Sequence, residues 1–254
     1  MRFASLGSGS RGNATLVQHG STQVLVDCGF STVEVERRMQ RLGTTPEALQ
    51  AILVTHEHAD HIQGVARLAR KYSLDVWMTH GTYSRFAISE PDLPVSIFSA
   101  HDVFAIRDLE VHPYPVPHDA REPAQFVFTE GARKFGLLTD AGSITPHIIE
   151  MLDGLDGLVL ESNHDLDMLW AGSYPATLKE RVAGRFGHLN NQQAAELLSS
   201  IDLSSLQHLV AAHISEKNNH PDKVVDSWAA AIDVSLDWVC IADQETGLDW
   251  REIV

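Results

Sequence analysis

Residues 51–61 read AILVTHEHADH, and this stretch decides the fold. Its first five residues are an apolar run with β-branched members, bounded downstream by polar residues, which predicts a short buried strand. Directly after the strand come His56, His58, Asp60 and His61. Three imidazoles and a carboxylate in six residues are not a packing feature, because such side chains are mostly exposed or paired. His56 and His58, at i and i+2, can point the same way from an extended loop. Asp60 and His61 can then turn toward a second point, a spacing that suits two adjacent metal ions. Imidazole nitrogen and carboxylate oxygen favour zinc, with manganese or iron as alternatives.

The same pattern recurs along the chain. EVHPYPV is followed by Pro117 and His118, FGLLT by Asp140, and HLVAA by His213. Four separate apolar segments thus each end on a metal-competent side chain, and segment ends are where sites are built in layered folds. Taken singly, each such residue is ordinary: a histidine after a strand is commonly exposed, and Asp before Ala-Gly commonly makes a turn.

Further strands are expected at 2–6, 14–19, 22–27, 75–79, 104–116, 124–130, 158–161 and 238–242, rich in β-branched or aromatic residues. Helical periodicity is expected in STVEVERRMQRLG (31–43), IQGVARLARKY (62–72), TPHIIEMLDG (145–154), NNQQAAELLSSID (190–202) and HPDKVVDSWAAAID (220–233). Asn190, followed three residues later by Gln193, marks the start of the fourth. Strand-rich sequence followed by repeated strand–helix alternation predicts sheets packed on each other with helices outside. No repeat or linker divides the chain, so residues 1–254 are read as one α/β domain.

Lys and Arg number 19 against 34 Asp and Glu, a formal net charge of −15. This excludes a broad basic face that grips nucleic acid by charge alone, but leaves room for a local cationic site. Cys28 and Cys240 lie in apolar runs and read as two buried thiols in a reducing compartment. The start MRFASLGSGSRGN has no apolar core of a signal peptide, and no segment can span a bilayer. A soluble, cytoplasmic protein is the expectation.

With these blocks in place, the sequence resembles the metallo-β-lactamase superfamily. The resemblance rests on Asp27 in VLVDCG, the His56–His61 block, His118 in VPHDA, Asp140 in LLTDAG and His213 in AAHIS, in the family's order. It implies a four-layer αβ/βα sandwich with the site at one edge. It also implies one metal held by His56, His58, His118 and a bridging Asp140, and a second held by Asp60, His61, His213 and the same Asp140. Asp27 would fix the histidine loop by hydrogen bonding.

GSGSRGNAT (7–15), ESNHD (161–165), AGSYP (171–175), GHLNNQQAA (187–195) and HISEKNN (213–219) resemble the YycJ-like (WalJ) subgroup, small relatives of RNase Z and RNase J. That resemblance implies a dinuclear metal-dependent hydrolase that cleaves phosphodiester bonds, a DNA or RNA nuclease of exonuclease-like action, through metal-activated hydroxide. RNase Z enzymes carry a Glu three residues before the bridging Asp, where this chain has Leu137; Glu161 is a candidate to take over part of that role. His188 resembles the histidine that protonates the leaving oxygen, a task suited to imidazole, and Asp60 is the candidate to take up a proton from the attacking water. His164 is a candidate support for the metal ligands. Ser8, Ser10 and Asn13, in a Gly-Ser turn, and Lys217 and Asn218, close after His213, are candidate substrate contacts. The charged residues of LKERVAGRF (178–186) read as a solvated helix face. The acidic balance favours contact with a few nucleotides at an end. The alternative is hydrolysis of a small phosphodiester or ester on the same scaffold.

Overall fold

The computed structural model describes residues 1–232 and 238–254. Two seven-stranded sheets face each other. The first has the order β14 (Leu248–Glu252), β1 (Arg2–Gly7), β2 (Ala14–His19), β3 (Thr22–Val26), β4 (Ala51–Leu53), β5 (Asp75–Thr79) and β6 (Ser96–Phe98). The second runs β13 (Val239–Ile241), β12 (His208–Ala212), β11 (Gly157–Glu161), β10 (Lys134–Leu138), β9 (Ala124–Thr129), β8 (Leu109–Pro115) and β7 (Phe104–Ile106). In each sheet an antiparallel meander gives way to parallel strands: β3 to β6 in one, β10 to β13 in the other. Parallel strands need crossovers, and these carry the helices to the outer faces.

The core between the sheets is built from alternate residues of both, among them Phe3, Val17, Val24, Phe126, Phe128, Val159 and Val210. Phe3 stacks on Phe135 with ring centroids 4.3 Å apart. Outside the first sheet, α1 (Thr32–Arg41) and α3 (Val65–Tyr72) cover Leu25, Ile52 and Val54. Outside the second, α5 (Pro146–Leu152), α8 (Asn191–Leu198) and α9 (Pro221–Ile232) bury Leu158, Leu160 and Trp228. The result is the expected four-layer αβ/βα sandwich. At Asn190 the capping box is complete: its side chain accepts from Gln193 N, and the Gln193 side chain accepts from Asn190 N. No helix among the described residues is long and apolar enough to cross a membrane.

The differences from the sequence reading are local. The single strand expected at 104–116 is broken by a turn with Arg107 at φ 54°, giving β7 and β8. Edge strands β6 and β14 went unread, since both sit at a sheet margin where outward residues are polar or exposed and alternation is weak. Two short helices carry no clear periodicity in the sequence, α4 (His80–Phe86) and α6 (Leu166–Ala171), and the solvated helix read at 178–186 is α7 (Ala176–Val182), which starts and ends earlier. The helix read over 220–233 is α9, and its last position, Asp233, lies outside the described residues. Cys28 is buried and its thiol is pushed up to about 12, whereas Cys240 is half-buried rather than buried; neither forms a disulfide.

Candidate metal centre

Ligands in sheets of this kind bind beyond the carboxyl ends of the strands, and the side chains singled out in the sequence converge there. Asp27 follows β3, Thr55 and His56 follow β4, Asp140 follows β10, Glu161 ends β11 and His213 follows β12. His58 caps the one-turn helix α2 (Ala59–Ile62), which carries Asp60 and His61. Three of these exits turn through the left-handed region: Asp27 at φ 61°, Asp140 at φ 54° and His213 at φ 51°. Non-glycine residues adopt it at some cost, and such strain collects at functional sites.

The histidine loop is held by backbone docking. Cys28 N donates to His61 O at 2.7 Å, Gly64 N to Cys28 O at 2.8 Å, and Asn13 N to Asp60 O at 2.8 Å. The approach is so close that a Cβ on Gly29 would lie 1.8 Å from the Asp60 carbonyl oxygen.

Hydrogen bonds then fix which ring nitrogen faces inward. Asp27 accepts from Thr55 N and Thr55 Oγ1, each at 2.8 Å, and from His61 Nδ1 at 2.8 Å. Thr55 has a single hydroxyl proton, which it gives to Asp27; it therefore accepts from His56 Nδ1, 2.9 Å away. His118 Nδ1 donates to Gly187 O at 2.9 Å. In all three rings the outer nitrogen is committed as a donor, so Nε2 is the atom turned inward and the one a metal would take. The consequence is starkest at His56, whose ring is fully buried and whose Nε2 has no hydrogen-bond partner among the described residues. A buried bare nitrogen amid other donors is what a metal ligand looks like.

The donor atoms form overlapping sets, each within 4.8 Å: His56, His58 and His118; His56, His61 and Asp140; Asp60, His61 and His213; and Asp140, Glu161, His188 and His213. Asp140 stands between them, with Oδ2 3.1 Å from His61 Nε2 and 3.0 Å from His213 Nδ1, and Oδ1 3.9 Å from His118 Nε2. The residues therefore fit a pair of divalent cations. Charge supports the same conclusion. Burial and neighbouring imidazoles hold His56 well below its ordinary pKa. Burial also opposes charge on His61, but the Asp140 and Asp27 carboxylates outweigh it and raise His61 well above the usual range. Burial opposes charge on Asp140 too, yet His213 and His61 keep its carboxyl well below the ordinary range. Carboxylates that demand a cation this strongly are served by a proton on imidazole or by a metal ion that displaces it.

His188 lies beside this cluster, 22% exposed, with Nδ1 2.7 Å from Glu161 Oε1. Burial depresses its pKa, but Glu161 and Asp140 outweigh that and raise it to about 9. Glu161 is itself fixed by Ala141 N at 3.0 Å and Leu189 N at 3.3 Å. A cavity of about 330 Å³ opens over the cluster, lined by His58, Asp60, Asp140, His188 and His213, together with Ser10 and Arg181.

The expected substrate contacts divide. Ser10 lines the cavity. Ser8 and Asn13 are turned inward instead: Ser8 Oγ accepts from His213 N at 2.9 Å, and Asn13 reaches Asp60 Oδ2 at 3.3 Å and His61 Nε2 at 3.1 Å. Asn218 is buried against Ser215, and Lys217 lies over the Tyr174 ring at 5.7 Å. His164 is buried, but neither ring nitrogen has a partner among the described residues, so it does not brace a ligand; burial lowers its pKa to about 4. Missed in the sequence were Thr55, Asp119 and the cavity-lining face of α7. Only Asp119 left a trace there, as the acid directly after His118.

Residues 22–214 match the β-lactamase superfamily domain. The chain is 36% identical over 222 residues to the exodeoxyribonuclease YycJ of Bacillus anthracis, covering 86% of this chain and 84% of that protein. The chain belongs to the β-lactamase superfamily. Within this superfamily it is also 32% identical over 223 residues to the exodeoxyribonuclease WalJ of Streptococcus pneumoniae, covering 86% and 83% of the two chains. The metallo-β-lactamase fold protein YhfI of Bacillus subtilis superposes with a TM-score of 0.75 at 16% identity, over 99% of both chains. The superfamily fold is thus supported along the whole chain.

Proposed function

We propose that this protein is a dinuclear metal-dependent phosphodiesterase that acts as a nuclease, removing nucleotides from DNA or RNA ends in the cytoplasm. The observation that carries this reading is the junction of two donor sets at Asp140, with His188 facing the same cavity on a Glu161 support. The nuclease assignment draws on the similarity to two exodeoxyribonucleases.

His56, His58, His118 and Asp140 would hold one cation, and Asp60, His61, His213 and Asp140 the other; zinc fits the donors best, with manganese or iron as alternatives. When bound, the pair supplies Lewis acidity and makes water acidic enough to react near neutral pH. Asp60, with its side chain 24% exposed toward the cavity, takes up the proton of the attacking water. His188 delivers a proton from Nε2 to the departing oxygen, because Nδ1 is committed to Glu161. Glu161 keeps that imidazole protonated and oriented. Arg181 at the cavity wall is anchored on Asp119 and supplies positive charge to a substrate phosphate.

The test is cleavage of end-labelled single- and double-stranded DNA and RNA by protein loaded separately with zinc and manganese, beside an Asp60→Ala/His61→Ala control. Metal-dependent release of mononucleotides, absent from the control, is the expected result. Intact polymers alongside turnover of bis-p-nitrophenyl phosphate would replace this reading with the small-phosphodiester one, which the net charge of −15 favours.

A further inference from the structure

The acidic surface leaves open how a polymer could be held. α7 gives Leu178, Arg181 and Val182 to the cavity wall, and α6 is tied to it by Lys179 Nζ donating to Trp170 O at 2.7 Å; this rim, continued by residues 183–186, supplies an answer. α7 buries none of its residues, yet Arg181 on it lines the cavity. A helix without a buried face gains little from packing, so its position over the cavity calls for another reason. The exposed Trp and Phe side chains among the described residues flank it: Trp170 before it, 51% exposed, and Phe186 after it, 49% exposed. Every other described Trp and Phe is buried or half-buried. Phe186 is two residues from His188, and the intervening Gly187 lines the cavity.

The charge of this rim is opposite to that of the whole chain. Residues 166–186 carry Lys179, Arg181 and Arg185 against Asp167 and Glu180. Across the rim, Arg185 lies over the Phe186 ring at 5.0 Å and Lys217 over the Tyr174 ring at 5.7 Å. Neither cation has a carboxylate partner among the described residues; what sets them apart is the aromatic ring beneath each. Unpaired cations resting on aromatic rings beside open aromatic faces match one ligand chemistry. Bases stack on the rings and phosphates meet the cations.

We propose that this rim is a stacking platform for unpaired nucleotides of a single strand whose end enters the cavity. The proposal rests on the nuclease reading and deepens it. Exposed rings can stack on splayed bases, whereas bases paired in a duplex are already stacked on each other. Two free cations, Arg185 and Lys217, suit a short contact that an otherwise acidic protein can make. The platform also explains how the chain could accept a polymer without a broad basic face.

The experiment uses the metal-loaded enzyme with a dT decamer, an rU decamer and a blunt duplex, measuring binding to phosphorothioate-linked forms by anisotropy and cleavage of ordinary ones by steady-state kinetics. Loss of one stacked base is expected to weaken single-strand binding about 5- to 150-fold, so Trp170→Ala and Phe186→Ala should each raise Kd and KM for the decamers by that factor. The effect should lie in KM rather than kcat, and the preference for decamer over bis-p-nitrophenyl phosphate should fall in parallel. With three phosphate contacts, at Arg181, Arg185 and Lys217, log affinity should fall with log salt at a slope of about −2.1, and Arg185→Gln should bring this to about −1.4. The stronger decamer identifies the sugar. Unchanged decamer Kd in both aromatic variants, or tighter wild-type binding of the blunt duplex than of the decamers, overturns the platform. Cleavage with unaltered KM in the variants sinks the platform and keeps the nuclease. Ring-dependent binding without cleavage in zinc or manganese sinks the nuclease and keeps the platform. Wild-type protein that neither binds nor cuts the decamers sinks both.

Discussion

The two sheets furnish the candidate centre in different ways. The first delivers His56, His58, Asp60 and His61 from one loop, within six residues of sequence. The second delivers His118, Asp140, Glu161 and His213 from four separate strand exits, one side chain each. The loop is braced by short backbone bonds, by Asp27 and by Asn13. The strand-end residues owe their places to sheet register, which aligns Leu138 with Leu160 and Glu161 with Ala212. One half of the site is a motif, and the other half is a topology. A motif can be damaged by a change in one neighbour. A topology shares its geometry over many residues, so damage there should stay confined to the side chain removed.

Asp140→Ala tests this contrast most severely, because the residue touches both halves. Turnover of bis-p-nitrophenyl phosphate should fall to background, and bound metal, measured by atomic emission, should drop from two equivalents. A fully metallated, active variant would remove Asp140 from the centre. His188→Ala deletes the proton donor, which hangs on the strand-side Glu161 and stands outside the two ligand sets assigned above. It should lower kcat about 10²- to 10⁴-fold while metal content stays at two. Asp27→Asn attacks the loop through its brace and should weaken metal affinity about 10- to 100-fold; chelator competition gives the number, and wild-type affinity would mean that the backbone bonds alone hold His61. Glu161→Gln probes the strand side more gently. The Glu161 carboxylate raises the pKa of His188, and the leaving-group step needs the protonated ring. Activity is therefore lost as pH rises through that pKa, and the variant should move the alkaline limb of the rate profile to lower pH. An unmoved limb would deny His188 the proton-donor role. The smallest effect is expected at Asn190→Ala, remote from the loop, where losing the capping box should cost about 1 kcal/mol in a denaturant titration and leave metal content unaltered.

The same contrast explains what the sequence disclosed. The loop was legible because its residues are adjacent, and the strand-end ligands because each closes an apolar run. Asp27, Asp140 and His213 could be named, but not their left-handed backbone, since nothing in their residue types requires it. Thr55 escaped notice because its value lies in passing one proton to Asp27 and accepting another from His56, a matter of distances. Ser8, Asn13 and Asn218 were placed near the site but facing the wrong way, because sequence proximity does not tell which side of a loop is buried. α7 was read as a solvated face, and that is half correct: it buries nothing, yet the cavity opens against it.

β1 pairs with β14, and Ser8 at the exit of β1 bonds the backbone of His213, some 205 positions away in the chain. Contacts of such sequence separation are slow to form, since a long loop must close before they are rewarded. The histidine loop alone can offer a passing cation only part of its coordination. Secure capture has to wait until the second sheet has docked and β14 has closed the edge of the first. A ligand that binds only the closed state stabilises it by mass action, so the metal ions are expected to act as a latch on folding as well as reagents. Retention of metal then reports whether a given molecule has finished folding.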